Sequence, residues 1–157
     1  MIQGRMSETT LTLPIDQPAI ERILPHRFPF LLVDRVTELE PDTRIVGIKL
    51  VSHNEPHLLT QPGQLPMMPF TILTEAIAQV GAILILAKPE YRDKLIFFMG
   101  IEKVRYRRPV YAGDEVVIEA HVERLRSRMG ALRGVARVNG KVVVGGRMTF
   151  ALGPRAR

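Results

Sequence analysis

The sequence predicts an α+β domain in which one long helix, apolar nearly all round, is wrapped by a curved antiparallel sheet. Three observations carry this. Residues 70–87 form an apolar stretch at helical length, interrupted only by Glu75 and Gln79. Two strand-like segments joined by a tight turn precede it. About four more, with short connections, follow it. A helix apolar on most sides needs cover on most sides, and a strongly twisted antiparallel sheet supplies it. That arrangement is the hot-dog fold. A single such sheet has open edges, so edge-to-edge dimerisation is expected.

The elements follow in order. Residues 1–13 read as a flexible N-terminal arm and residues 14–157 as one domain. Asp16 is placed to cap a short helix, "QPAIERIL", with Pro18 in its first turn. The prolines of "PHRFPF" stop it. "FLLVDRVTELE" and "RIVGIKLVS" read as strands, with "PDT" as the turn between them. A proline-rich loop, residues 54–69, leads to the helix from Phe70 to Ala87, and "KPEYRDK" ends it. "LIFFMGIEKVRYRRPV" and "DEVVIEAHVERLRS" read as strands around the turn "YAGD". "ALRGVARV" and "KVVVGGRMTFAL" are joined by Asn139-Gly140, a strong hairpin signal.

Composition narrows the function. The 157 residues are 46% apolar, enough to bury a core without staples. There is no cysteine, which excludes disulfides and thiolate metal sites and suits a reducing cytoplasm. The 22 basic against 16 acidic side chains, net +6, favour acidic partners. Nucleic acid is disfavoured, because no binding motif is present and few aromatics are available for stacking. The start has no apolar signal segment, and the helix is too interrupted for a good membrane span, so no membrane role is expected.

Glu75 is the first candidate for chemistry. Ile72, Ala76, Ile77 and Val80 surround it on the helical wheel, and a carboxylate desolvated there suits a general acid or base. Gln79 lies one turn later on the same face and is placed to hydrogen-bond it. The free N–H groups of the first helical turn, at Phe70 and Thr71, are the second feature, suited to polarising a carbonyl or holding an anion. Of the four histidines, His26, His53, His57 and His121, none has metal-ligand spacing with another. His57 is nearest the helix start and reads as a loop histidine. His121 reads as a surface or dimer-edge residue. Lys103, Arg105 and Arg107 alternate, as do Arg124, Arg126 and Arg128, which places each set on one strand face. Either set suits a solvated outer face or a docking patch for an acidic partner. No Ser-His-Asp order, glycine-rich phosphate loop or zinc spacing is present.

The segments "ILPHRFPFLLVDRV", "VSHNEP", "EAIAQVGAILILA" and "FFMGIEKVRYRRPVYAGD", with the final strands, resemble the beta-hydroxyacyl-[acyl carrier protein] dehydratases of bacterial fatty acid synthesis. The resemblance spans about residues 14–152. It implies a hot-dog dimer or a hexamer built as a trimer of dimers. It implies removal of water from a thioester on an acidic carrier protein, in the cytoplasm, with no metal or organic cofactor. It also implies a catalytic pair, a loop histidine from one subunit and a helix glutamate from the other, with a backbone N–H at the helix start polarising the thioester.

Carried over by position, the glutamate falls on Glu75, the following glutamine on Gln79 and the proline before the helix on Pro69. The family loop reads approximately Gly-His-Phe-Pro-Gly. Here Thr60 and Gln61 stand at the Gly-His pair, or Thr60 at the histidine if Pro62-Gly63 is slid onto the family's Pro-Gly. Phe70 stands where the family has glycine, and its N–H falls at the carbonyl-polarising position. Glutamine takes up no proton near neutral pH, so dehydration is expected to be weak or lost. The departures gather around the pocket, at Leu58, Leu59, Thr60, Thr71 and Thr74 among others, which implies a re-lined pocket, engineered or divergent. The expected lining is Leu58, Leu59, Thr60, Met68, Thr71, Thr74 and Gln79. The alternative is a pocket that binds or transforms another apolar small molecule with Glu75, and with His57 as a substitute partner.

Overall fold

The computed structural model describes residues 11–155. Most of the expected arm, residues 1–10, lies outside the described residues; Leu11 packs against the core. Helix α1 (Gln17–Ile23) begins where the Asp16 carboxylate accepts the Ala19 N–H at 3.1 Å, with a proline in its first turn. Strands β1 (Arg35–Glu40) and β2 (Arg44–Leu50) pair antiparallel. Their turn closes with the Thr43 N–H donating to the Glu40 carbonyl at 3.1 Å, and Asp42 takes the positive φ (65°) that this geometry requires.

The first strand starts at Arg35, later than the apolar run "FLLV" suggests. The reason is where that run's polar groups go. The Leu32 N–H donates to the Gln79 side chain at 2.9 Å and not to a neighbouring strand. Leu32 and Val33 are buried all the same. Their apolarity therefore reports burial in the core and not sheet pairing.

Helix α2 (Phe70–Leu86) is the axis of the molecule, with 17 residues. Four long strands follow: β3 (Lys94–Tyr106), β4 (Glu115–Arg126), β5 (Met129–Val138) and β6 (Lys141–Pro154). They complete one six-stranded antiparallel sheet in the order β1-β2-β4-β5-β6-β3. Asn139 and Gly140 both have positive φ, 49° and 75°, as a two-residue type I′ hairpin demands. His121 lies on β4, an interior strand, with its side chain 46% exposed, which fits the surface alternative and not the edge one; its Nε2 meets Glu119 at 2.5 Å.

The sheet approaches the helix closely where side chains are missing. A Cβ built on Gly134 of β5 would stand 2.1 Å from Cγ2 of Ile77 on α2. The Gly134→Ala variant is expected to lose about 1–3 kcal/mol, the usual cost of overpacking a filled core. A urea titration checks this, and an unchanged midpoint would show that the helix is free to shift.

Candidate active site

From Leu73 to Leu86, Glu75 is the only residue of α2 that is not buried. Its side chain keeps 30% of its surface exposed. The desolvation expected from the apolar pattern is therefore incomplete in the single chain. Glu75 sits beside a pocket of about 330 Å³ between α2 and β3. Thr71, Thr74, Glu75 and Ala78 form one wall, with Phe98, Ile101, Tyr106 and Met148 across from them.

Gln79 orders the other side of the glutamate. Its Nε2 donates to Glu75 Oε1 at 3.0 Å and to the Phe30 carbonyl at 2.8 Å, while its Oε1 accepts the Leu32 N–H. The amide is 1% exposed. These bonds pin residues 30–32 to the helix and bring the preceding loop against Glu75. His26 arrives with that loop, its Nε2 3.6 Å from Glu75 Oε1. Burial holds the His26 imidazole below its ordinary pKa of 6.5; the Glu75 carboxylate opposes this and Arg27 adds to it. Spacing along the chain did not single out His26 as Glu75's neighbour. The only signal was its place in the proline-flanked "PHRFPF".

His57 lies elsewhere. Its Nε2 is 3.0 Å from the Pro29 carbonyl, and its ring meets Phe30 edge-on at 6.0 Å. Phe30 in turn lies 6.1 Å from the His26 ring.

The loop before α2 is a folded ribbon. Leu59 and Met67 exchange two backbone hydrogen bonds, and the Met68 N–H donates to Val110. At its tip the Gln64 N–H reaches the Gln61 carbonyl at 3.1 Å, with Gly63 at φ 76°. This is a type II turn with Pro62 and Gly63 at its centre. Thr60 and Gln61 are exposed there. The ribbon sets where the expected lining residues stand in the single chain. Leu59 points outward at 53% exposure, Leu58 packs against the core, and Met68 and Gln79 are buried. Of the expected set, Thr71 and Thr74 line the pocket of the single chain; Leu58, Leu59, Thr60, Met68 and Gln79 do not.

Pro69 caps α2 without a side-chain bond, and the Phe70 and Thr71 N–H groups have no acceptor among the described residues. The Phe70 ring stacks on Tyr106 at 4.8 Å. The Thr74 hydroxyl donates to the Phe70 carbonyl at 2.9 Å and lies 3.3 Å from the Tyr106 hydroxyl. A carboxylate beside an apolar pocket, near unpaired N–H donors, is equipped to move a proton on a ligand whose carbonyl faces the helix start.

A basic groove of about 880 Å³ opens on the sheet. Strict alternation does not hold along its β3 wall, because a bulge lies between Glu102 and Arg105, with Lys103 at φ 53°. Lys103, Arg105 and Arg107 nevertheless all border the groove, joined by Arg108, Arg133, Arg137, Lys141 and Arg147. Arg124, Arg126 and Arg128 do not. Arg147 and Arg133 bond Glu123 and hold its carboxyl below the ordinary value against its burial. The other six cations have no carboxylate partner among the described residues.

Among the described residues no cluster of three or more His, Asp or Glu is placed to hold a metal, and no helix is long and apolar enough to cross a membrane. Residues 24–147, which carry the glutamate, the ribbon and most of the sheet, match the model of the FabA-like domain. The chain belongs to this family. Within it the chain is of the FabZ type. It is 47% identical over 133 residues to the 3-hydroxyacyl-[acyl-carrier-protein] dehydratase FabZ of Roseiflexus sp. (strain RS-1), covering 85% of this chain and 93% of that protein. It is 45% identical to the FabZ of Bacillus subtilis (strain 168), over 88% of this chain and 99% of the relative. Among solved structures the dehydratase heterocomplex ApeI:P of Xenorhabdus doucetiae superposes with a TM-score of 0.76 at 23% identity, over 92% of this chain and 93% of that one. The hot-dog fold expected from the sequence is thus the fold observed.

Two measurements test the FabZ-type site as built. Gln79→Leu strands the Leu32 N–H and the Phe30 carbonyl, at about 1–3 kcal/mol for each unsatisfied group, so an overall loss of roughly 2–5 kcal/mol in urea denaturation is expected. The second concerns His26. Its folded pKa is lowered, so the unfolded chain binds the proton more readily. The stability it contributes is complete above about pH 6.5 and falls as pH drops through the folded pKa. His26→Gln is expected to flatten that part of the stability–pH curve, read from urea midpoints; an unaltered curve would show that His26 does not titrate differently in the fold.

Proposed function

We propose that this chain is a dehydratase-family subunit that binds a 3-hydroxyacyl thioester delivered by acyl carrier protein in the bacterial cytoplasm. Glu75 is its proton-transfer carboxylate, and the Phe70 N–H receives the thioester carbonyl. Dehydration by the homo-oligomer is weak or lost, because Gln61 stands where the resembled family carries histidine. The observation that carries the reading is the one position between Leu73 and Leu86 of α2 that is not buried: a glutamate facing an apolar pocket, with unpaired N–H donors at the start of the same helix.

The oligomer follows from β3. It is an outer strand of 13 residues, and Phe97, Met99, Ile101 and Tyr106 stay about half exposed around it. Such an edge calls for pairing with a second copy, as a homodimer or as a trimer of dimers. The basic groove suits the carrier's acidic surface by charge. A second reading draws support from the similarity to a solved dehydratase heterocomplex: a mixed dimer in which a histidine-bearing relative supplies the missing group and Glu75 serves its site.

The deciding experiment is turnover of a 3-hydroxyacyl carrier thioester. The wild-type homo-oligomer is expected to be slow, and Gln61→His to raise the rate by about 10²–10⁴, the usual worth of a general base. Glu75→Gln is expected to abolish the gain. Fast wild-type turnover would refute the loss of chemistry. No turnover in any variant, with calorimetric binding of an apolar ligand, would move the reading to an apolar small-molecule binder. For docking, Arg105→Glu with Arg107→Glu is expected to weaken carrier binding and flatten its salt dependence.

A further inference from the structure

We propose that His26 is a positioning residue for Glu75: a neutral imidazole that presents an Nε2–H to Oε1 and reserves Oε2 for the ligand. The proposal rests on reading Glu75 as the proton-transfer carboxylate. Oε1 accepts from Gln79 Nε2 at 3.0 Å and faces His26 Nε2 at 3.6 Å, while Oε2 has no partner among the described residues. Gln79 thus holds one carboxylate oxygen, His26 faces the same oxygen within a small closing movement, and the other oxygen is left free.

The tautomer follows from the second ring nitrogen. His26 Nδ1 is the one buried side-chain polar atom among the described residues without a hydrogen-bond partner. A proton there would be a buried donor with nothing to receive it, which costs more than an idle lone pair. The proton of the neutral ring therefore belongs on Nε2, which faces Glu75. Protonating the ring would populate Nδ1–H as well, so the same geometry resists the imidazolium. The charged groups around the ring are few. Glu75 faces it from α2 and favours the cation, and Arg27 beside it disfavours the cation. Glu21 of α1 is drawn to Arg27 at 3.9 Å, and Arg27 also donates to the Leu24 and His26 carbonyls. His57 lies beyond Phe30.

The terminal torsion of a glutamate is broad, so one donor leaves its oxygens free to exchange. Two donors converging on Oε1 oppose that rotation. An apolar residue at position 26 would fill the same space and leave Gln79 alone.

Nitrogen-15 NMR of the full-length protein tests this without reference to activity. The expected result is an Nε2–H tautomer for His26 with a midpoint below 6.5. Glu75→Gln should push that midpoint further down, since the carboxylate is what opposes the lowering. An Nδ1–H tautomer, or a midpoint indifferent to Glu75→Gln, would overturn the proposal. In the Gln61→His background, His26→Leu is expected to lower kcat roughly tenfold or more with KM little changed, as misplaced catalytic groups do. His26→Gln, which keeps a donor near the Nε2 position, should recover most of that loss. Equal kcat for the Leu variant would refute the positioning role even with the tautomer as expected. If the Gln61→His background shows no turnover, the dehydratase reading fails separately, and the midpoint shift still decides the His26–Glu75 contact.

Discussion

The site depends on the buried amide of Gln79. Burying an amide is unfavourable unless its donors and acceptor are paired. Here the amide makes two donor bonds and one acceptor bond, two of them to the segment Phe30–Leu32 and one to Glu75. The segment Phe30–Leu32 leaves α1 without joining the sheet, so its backbone groups need partners elsewhere. Gln79 supplies them from inside the helix. The same amide orients Glu75, so the loop that carries His26 and the carboxylate beside it are set by one side chain.

The rest of the fold arranges for that amide to be dry and for the glutamate to be reachable. Glycines at positions 134 and 81 let β5 and α2 approach until Ile77 and Leu132 fill the space where their Cβ atoms would stand. The pocket beside Glu75 opens between α2 and β3. Glu75 and Gln79 share one helix face, one turn apart, with Glu75 at the pocket and Gln79 under the Phe30–Leu32 segment. The difference in their exposure, 30% against 1%, separates a reachable carboxylate from a buried amide on the same face.

The fold was legible because its signals are local or periodic. The apolar run of α2, the Asp16 cap, and the Asp42 and Asn139-Gly140 turns each follow from a few adjacent residues. The start of β1 was not legible, because Leu32 and Val33 are equally apolar in a strand or against a helix. What distinguishes the two is a hydrogen bond to a residue far along the chain. The same holds for the site. Glu75 and Gln79 share a helix face, so their contact could be read from spacing. His26 reaches Glu75 only through the path of a loop, which has no period. The ribbon misled in the opposite sense: Leu58, Leu59 and Met68 are apolar for three different reasons, and only the pairing of Leu59 with Met67 separates them.

The exposure of Glu75 and that of the β3 edge are two sides of one constraint. β3 carries Phe98, Ile101 and Tyr106 into the pocket wall and also leaves its outer edge unpaired. A second copy paired along that edge would cover the pocket wall and lower the dielectric around Glu75. A carboxylate already oriented by the Gln79 amide tolerates that change, because its orientation is set before the water leaves. Within one chain Gln79 orients Glu75, and His26 stands beside it. The apolar enclosure is left to the edge. A partner's surface contributes chemistry here in proportion to what it places opposite the free oxygen of Glu75.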